Sequence, residues 1–245
     1  MNLPGRDILA QLEKDILSLQ GFTLLPTEDD IPIGFRPIEN AFPNARFPVG
    51  CMHEFVNLSL EDAAATSGFI ATLLRNRMQL GGACLWISAS RTLFPAALSH
   101  YGIQPHQVIF VDLKSETEVL YATEEALKCS QLTAVLSEIR RDIGFKESRR
   151  FQLAAEKSRV TGFILRTQPR TPTTTACVSR WQVTAIPSQL DGGMPGVGFP
   201  RWQVELQKVR NGKPGRWILE WAANGFNEVK DNGTTLLQEQ QRKLG

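Results

Sequence analysis

The spacing of apolar residues changes along the chain, and each change predicts a different element. Near the start, apolar residues recur at helical spacing, at Leu9, Leu12, Ile16 and Leu19. This pattern predicts an amphipathic helix over residues 7–20. Residues 22–48 are acidic and rich in proline, which excludes a long helix, so we expect an extended arm there.

Beyond Gly50, short apolar runs alternate with segments of helical periodicity. The runs predict strands at 52–56, 84–87, 108–111, 133–136 and 162–165, with helices at 61–80, 95–101, 115–129 and 147–159. Strands joined by helices form right-handed βαβ units, so a mainly parallel sheet is expected. Three further strands, at 176–186, 202–209 and 217–221, follow without helices and predict an antiparallel extension. The predicted organisation is an N-terminal helix and arm (1–45), an α/β core (46–227) and a polar C-terminal tail (228–245).

The composition supports one large core and gives no sign of export. Hydrophobic residues make up 42% of 245 positions, which is enough for a substantial interior. No run approaches the roughly 18 apolar residues of a membrane helix, and the first residues lack a signal-peptide layout, so we expect a cytoplasmic protein. The four cysteines form no CxxC pair, which predicts reduced thiols and neither a disulfide scaffold nor a zinc site.

The net charge of +2 hides an uneven distribution. Residues 1–45 hold seven acidic and three basic side chains, whereas residues 140–180 hold ten basic and three acidic ones. A basic segment of this kind suits DNA or an acidic partner, although a merely solvated helix face has the same composition. The candidate contact residues are Arg140, Arg141, Lys146, Arg149, Arg150, Lys157, Arg159, Arg170 and Arg180.

The turn after the first core strand lies where a phosphate-binding loop is expected, at the start of a parallel sheet. The residues that form it lack glycine, lysine and the GK[ST] motif; they include Asn57, Ser59, Glu61, Asp62 and Ala63. Ser59 and Asp62 fit a capping box, and two carboxylates lie at the positive end of the helix. We therefore expect a degenerate phosphate loop, no cofactor and no enzymatic activity.

Several segments carry a family resemblance. They read FPVGCMHEF (47–55), SRRFQLAAEKSRVTGFILR (148–166), GVGFPRW (196–202) and VRNG (209–212), together with the helix at 62–78. These segments closely resemble the ImuA family, the RecA-like accessory proteins of bacterial inducible-mutagenesis cassettes.

The resemblance implies a RecA-like core and a role in damage-induced translesion synthesis. The implied partners are an ImuB-like polymerase subunit, RecA, an error-prone C-family polymerase acting indirectly, and single-stranded DNA. The N-terminal helix, with its apolar stripe, would dock on RecA or on a second copy of the chain. A SulA-like inhibitor of cell division is the alternative from another class, because that family also resembles a nucleotide-free RecA core.

The ATPase residues of RecA do not carry over. The phosphate-binding lysine position falls on or near Ala63, and the hydrolytic glutamate position falls near Ser90. Glu138 ends the fourth strand and leaves a residual ATPase as a third alternative. By the same resemblance, the DNA-binding loops correspond to residues 140–147 and 167–175, and Arg210 matches a residue that reaches a neighbour's nucleotide.

Two further groups of residues have alternative roles. His53 and Glu54 are neighbours on a strand and point to opposite faces, so they are not expected to share a metal ion. Trp181 and Trp202 each follow an arginine, which is compatible with core packing or with a platform that stacks bases.

Overall fold

The computed structural model describes residues 32–91, 93–169, 173–189, 198–222 and 225–229. Its strands are Met52–Asn57 (β1), Ala83–Ser88 (β2), Val108–Asp112 (β3), Leu132–Ile139 (β4), Thr161–Thr167 (β5), Ser179–Ile186 (β6), Arg201–Val209 (β7), Gly215–Ala222 (β8) and Gly225–Glu228 (β9). Within the described residues these strands form one sheet in the order β3-β2-β4-β5-β1-β6-β7-β8-β9.

The first six strands are parallel, and the last three extend the sheet in antiparallel fashion. β1 pairs in parallel with both β5 and β6, whereas the β6–β7, β7–β8 and β8–β9 pairs are antiparallel. The predicted change from parallel to antiparallel pairing is therefore confirmed, but it occurs one strand later than predicted, because β6 pairs in parallel with β1. β9 was not predicted, because a strand of four residues is too short to show a period.

The α-helices span Arg36–Glu39 (α1), Leu60–Gln79 (α2), Glu116–Ala126 (α3) and Phe145–Ser158 (α4), and the segment Pro95–Tyr101 is a 3₁₀-helix. Serines cap two of the helices: the Ser59 hydroxyl accepts from the backbone N–H of Asp62 at 3.0 Å, as predicted, and the Ser115 hydroxyl accepts from that of Glu118 at 3.3 Å. None of the helices in the described part of the chain has the length and apolar character needed to cross a membrane.

The hydrophobic core has two parts, one on each face of the sheet. On one face, α2 packs Phe69, Ile70 and Leu73 against the sheet. On the other face, α3 and α4 pack mainly through Val119 and Phe151. Each side of a parallel sheet must be covered, and these helices cover both sides.

Residues 33–42 belong to this core, although the sequence analysis placed them in the extended arm. The side chains of Ile33, Phe35, Ile38 and Phe42 are buried on the α2 face of the sheet. The prolines do not prevent this, because α1 is a single turn with Pro37 in its first turn, where a missing N–H costs little. Residues 1–31 of the predicted N-terminal helix and arm, including Leu9, Leu12, Ile16 and Leu19, lie outside the described residues.

All four cysteines are free, and Cys51, Cys84 and Cys177 are buried. The predicted reduced thiols are therefore confirmed. Burial raises the pKa of each of these three thiols, which keeps them protonated and unreactive.

Candidate functional site

The connection from β1 to α2 lies where RecA-like proteins bind nucleotide phosphates. β1 ends at Asn57 and α2 begins at Leu60, so only Leu58 and Ser59 join them. The Thr66 hydroxyl donates to the Asn57 side-chain oxygen at 2.6 Å, which holds the strand end against the helix. Two residues are too few to wrap a phosphate group, which a phosphate loop does with several consecutive backbone N–H groups.

The polar groups at the start of α2 bind to one another and to the sheet. The Asp62 carboxylate accepts from the backbone N–H of Ala185 in β6 at 3.3 Å. Only one of the two hydrogen bonds of the predicted capping box is thus formed, the one accepted by Ser59. The Asp62 carboxylate, which would form the other, binds β6 instead. Hydrogen bonds from its own backbone N–H and from Ser59 lower the pKa of the Glu61 carboxyl. The protein's own anions therefore occupy the positive end of this helix.

Glu138 lies at the end of β4 and accepts a hydrogen bond within the core. Its carboxylate oxygen receives the Trp86 indole N–H at 2.7 Å, and only 9% of the residue is exposed. A carboxylate used in this way has one fewer lone pair for a metal ion. No group of three or more metal-ligating side chains occurs among the described residues.

His53 takes part in a buried chain of hydrogen bonds. The Trp181 indole N–H donates to the Ser179 hydroxyl at 2.7 Å, and that hydroxyl lies 2.7 Å from His53 Nδ1. His53 Nε2 lies 2.9 Å from the Pro48 carbonyl, to which it must donate, so Nδ1 is the acceptor. Burial lowers the pKa of His53 to about 4.

We expect this histidine to make folding stability depend on pH. The pKa of His53 is 6.5 in the unfolded chain and about 4 in the folded chain. The stability that the neutral side chain contributes is therefore fully present above pH 6.5 and is lost as the pH falls towards 4. Between pH 7 and pH 5 the wild type should lose about 2 kcal/mol more than His53→Gln. Urea unfolding at both pH values measures the difference, and equal losses in the two proteins would contradict it.

The basic residues predicted as contact residues are divided between ion pairs and solvent. Arg141 pairs with Glu147, and Arg150 pairs with Glu124. The Arg210 guanidinium donates to the Ala176 carbonyl at 3.0 Å and lies 3.9 Å from Glu156, so it joins the end of β7 to the segment before β6 and to α4. Arg159 adopts a left-handed conformation at the end of α4, and Arg140 is exposed beside Ser90. Arg170 lies outside the described residues.

Lys146, Arg149 and Lys157 are exposed on α4, and no ion pair joins them to the described part of the chain. They are the predicted contact residues that the structure leaves most available. A separation of seven residues places Arg150 and Lys157 on one face of this helix. The exposed Phe145 and Leu153 lie among these cations and were not predicted as contact residues.

Arg180 belongs to a buried charged cluster that the sequence analysis did not predict. Its side chain is 18% exposed, and its Nε lies 2.8 Å from Glu54. Glu54 also binds Arg166 at 2.9 Å, and both of these side chains are 1% exposed. Arg166 in turn binds Asp142 at 2.7 Å. Most of the Arg180 side chain is therefore buried and bound to Glu54, so little of it is available for the predicted surface contact.

The cluster holds the two segments that the family resemblance equates with DNA-binding loops. Asp142 belongs to the first of them, and Thr173 and Thr175 belong to the second. The Thr175 hydroxyl donates to Glu54 at 2.7 Å, and the Thr173 hydroxyl donates to the Ile143 carbonyl at 2.9 Å. The glutamate inside the predicted buried strand, beside His53, was the one signal of this cluster in the sequence.

The tryptophans beside arginines are core residues. Trp181 is fully buried, and Trp202 is 3% exposed. Trp181 stacks on Phe55 with ring centroids 5.9 Å apart and planes inclined by 7°. Neither ring offers a face to a base, so the stacking platform is excluded for both residues.

Comparison with known proteins bears on the family and the fold. No protein-family model matches the chain. The chain is similar to Protein ImuA of two Caulobacter vibrioides strains, NA1000 / CB15N and ATCC 19089 / CIP 103742 / CB 15. Each is 33% identical over 202 residues, which cover 78% of this chain and 82% of the relative.

The fold is similar to that of a solved RadB recombinase, with a TM-score of 0.53 and 11% identity over 76% of this chain and 93% of that one. The predicted RecA-like core, with helices on a mainly parallel sheet and antiparallel late strands, is therefore confirmed. At one-third identity over most of both sequences, the chain belongs to the ImuA family.

Proposed function

We propose that this protein is a non-catalytic, RecA-like accessory protein of damage-induced translesion synthesis. The observation that carries the proposal is the two-residue connection between β1 and α2, which leaves no phosphate-binding loop. The similarity to Protein ImuA supports the setting in inducible mutagenesis. The partners we propose are an ImuB-like polymerase subunit and RecA, with the C-family polymerase reached indirectly.

A RecA-like protein without a nucleotide site has no hydrolysis cycle to release its partners. Its contacts would then depend on the concentrations of the proteins present. Damage-induced synthesis of the components would raise their concentrations enough to assemble such a complex. The complex would dissociate as those concentrations fall again. The protein would contribute shape and contact surfaces, while the polymerase carries out the chemistry.

The absence of nucleotide binding is testable by calorimetric titration of the full-length protein with ATP and Mg²⁺. We expect no binding tighter than a Kd of about 1 mM, which corresponds to roughly 4 kcal/mol. ATP hydrolysis should be equally absent in the wild type and in Glu138→Ala, because that carboxylate binds the Trp86 indole. Tighter binding, or a rate that Glu138→Ala abolishes, would support the residual ATPase.

The adaptor role is tested separately by mixing the purified full-length protein with a purified ImuB-like subunit or with RecA. Co-elution with either protein in gel filtration is expected. Failure to bind both would contradict the role. Co-elution with the tubulin-like division protein alone would favour the SulA-like alternative.

A further inference from the structure

The outer surface of α3 and α4 combines exposed apolar side chains with available cations. We call it the α3–α4 face; it comprises Tyr121, Phe145, Lys146, Arg149, Arg150, Leu153 and Lys157. Tyr121 is 69% exposed, Phe145 is 56% exposed and Leu153 is 49% exposed. Large apolar side chains concentrated at one place on a surface mark interaction sites more often than scattered ones do.

Helical spacing brings the residues of α4 together on one side. Positions 146, 150, 153 and 157 are separated by four, three and four residues, so Leu153 lies in the middle of a row of cations. The opposite side of α4 buries Phe151 and Ala155 against the sheet. From position 146 to position 157 the row is about 16 Å long, which is three turns of helix.

A groove between the two helices adjoins this row. Its volume is about 200 Å³, and its lining includes Leu120, Tyr121 and Phe151. Two ion pairs also line it, Arg150–Glu124 and Arg141–Glu147. Such a cavity has room for one or two apolar side chains, with charges around them.

The charges favour a protein over a nucleic acid as the occupant. Glu124 and Glu147 already neutralise two of the arginines, so the groove offers little net positive charge to a phosphate backbone. Binding to a phosphate backbone grows with the number of cations it contacts, and only Lys146, Arg149 and Lys157 are unpaired here among the described residues. A base stacked on Tyr121 would lie beside Arg150, whose charge Glu124 already neutralises.

We infer that the α3–α4 face docks an acidic amphipathic helix of a protein partner. The apolar side chains of that helix cover Leu153 and enter the groove beside Tyr121, and its carboxylates pair with Lys146, Arg149 and Lys157. A straight row along α4 beside a groove is the arrangement that receives a helix by its apolar face. The inference rests on the proposed function, in which the protein acts through protein partners.

The test compares two variants of the face with a matched control. Leu153→Asp places a carboxylate at the centre of the apolar contact, and Lys146→Glu with Lys157→Glu reverses two of the charges. Leu80→Asp is the control, because Leu80 is 75% exposed and follows α2, which packs on the other side of the sheet. The probes are purified ImuB-like subunit, purified RecA and a fluorescent single-stranded oligonucleotide, each titrated with full-length protein.

We expect Leu153→Asp to weaken binding of one protein partner at least tenfold, with Leu80→Asp unchanged. The double charge reversal should weaken the same partner and flatten the salt dependence of its binding. Because all these positions are exposed, the unfolding midpoints should stay within a few degrees of the wild type, which thermal unfolding checks.

Three results would overturn the inference. Partner binding that survives both variants removes the face from the interface but leaves the proposed function standing. Loss of oligonucleotide binding in the charge-reversed variant, with protein binding intact, makes the face a phosphate-backbone site. A wild-type protein that binds neither protein partner contradicts the proposed function, and the inference fails with it.

Discussion

Replacing Arg166 with methionine is expected to destabilise the protein by about 3–5 kcal/mol. Arg166 and Glu54 are both fully buried and lie 2.9 Å apart. Removing the guanidinium leaves a buried carboxylate with less compensation, and it also removes the bond to Asp142. Such a loss is a large share of the 5–15 kcal/mol that stabilises a typical domain. Urea unfolding of the purified variant measures it.

Two further variants separate the cost of the buried charge from the cost of removing an arginine side chain in general. Glu54→Gln combined with Arg166→Met should recover part of the loss, because the buried carboxylate that has lost one of its two cations is then absent. Arg141→Ala removes an exposed pair with Glu147 and should cost less than about 1 kcal/mol. If Arg166→Met costs no more than Arg141→Ala, the cluster does not hold the fold together.

Truncating Trp181 to alanine is expected to cost about 3–5 kcal/mol of folding free energy. The ring is completely buried among Phe42, Phe47, Phe55 and Phe69, with centroid separations of 5.8–6.4 Å. Its removal opens a cavity between β1, α2 and the segment that carries Phe42 and Phe47. It also deprives the Ser179 hydroxyl of its indole donor.

The matched control is Trp221→Ala. Trp221 is partly buried at the edge of the same cluster, with its ring 5.2 Å from that of Phe226. We expect it to cost roughly 1–2 kcal/mol, in the range of ordinary substitutions. Chemical denaturation of both variants compares them. Equal losses would mean that Trp181 does not occupy the centre of the core.

Arg166→Met and Trp181→Ala both test the sheet on which the helices of the proposed interaction surface pack. Arg166 and Trp181 act on opposite faces of the sheet, because Arg166 binds Glu54 while Trp181 packs on Phe55, the next residue of β1. The α3–α4 face lies on the same side as the charged cluster. Asp142 connects the two, since it follows β4 and precedes α4.

Local patterns predicted most of the elements and the loss of the phosphate loop. The strand at 52–56, the Ser59 cap and the helix at 61–80 were each predicted within one residue of their observed bounds. These features depend on hydrophobic period and on hydrogen bonds between residues three or four apart. The same is true of a missing phosphate loop, because the residues that would form it are consecutive.

Long-range pairing was not predictable in the same way. Glu54 and Arg166 are 112 positions apart, and nothing near either residue identifies the other as its partner. Arg166 was counted in the basic segment, and Arg180 was predicted at the surface for the same reason. Ile33 and Phe42 were assigned to the arm because prolines interrupt their pattern, but the α2 face of the sheet buries them.

The sequence by itself determined the order of the elements, the change from parallel to antiparallel strands, the degenerate phosphate loop and the family. Only the tertiary structure decided which basic residues are available to a partner, because ion pairing and burial depend on side chains that distant parts of the chain bring together. In the sequence, Arg180 and Lys157 are both basic residues of the same basic segment. One is held by a buried glutamate, and the other lies in solvent beside an exposed leucine.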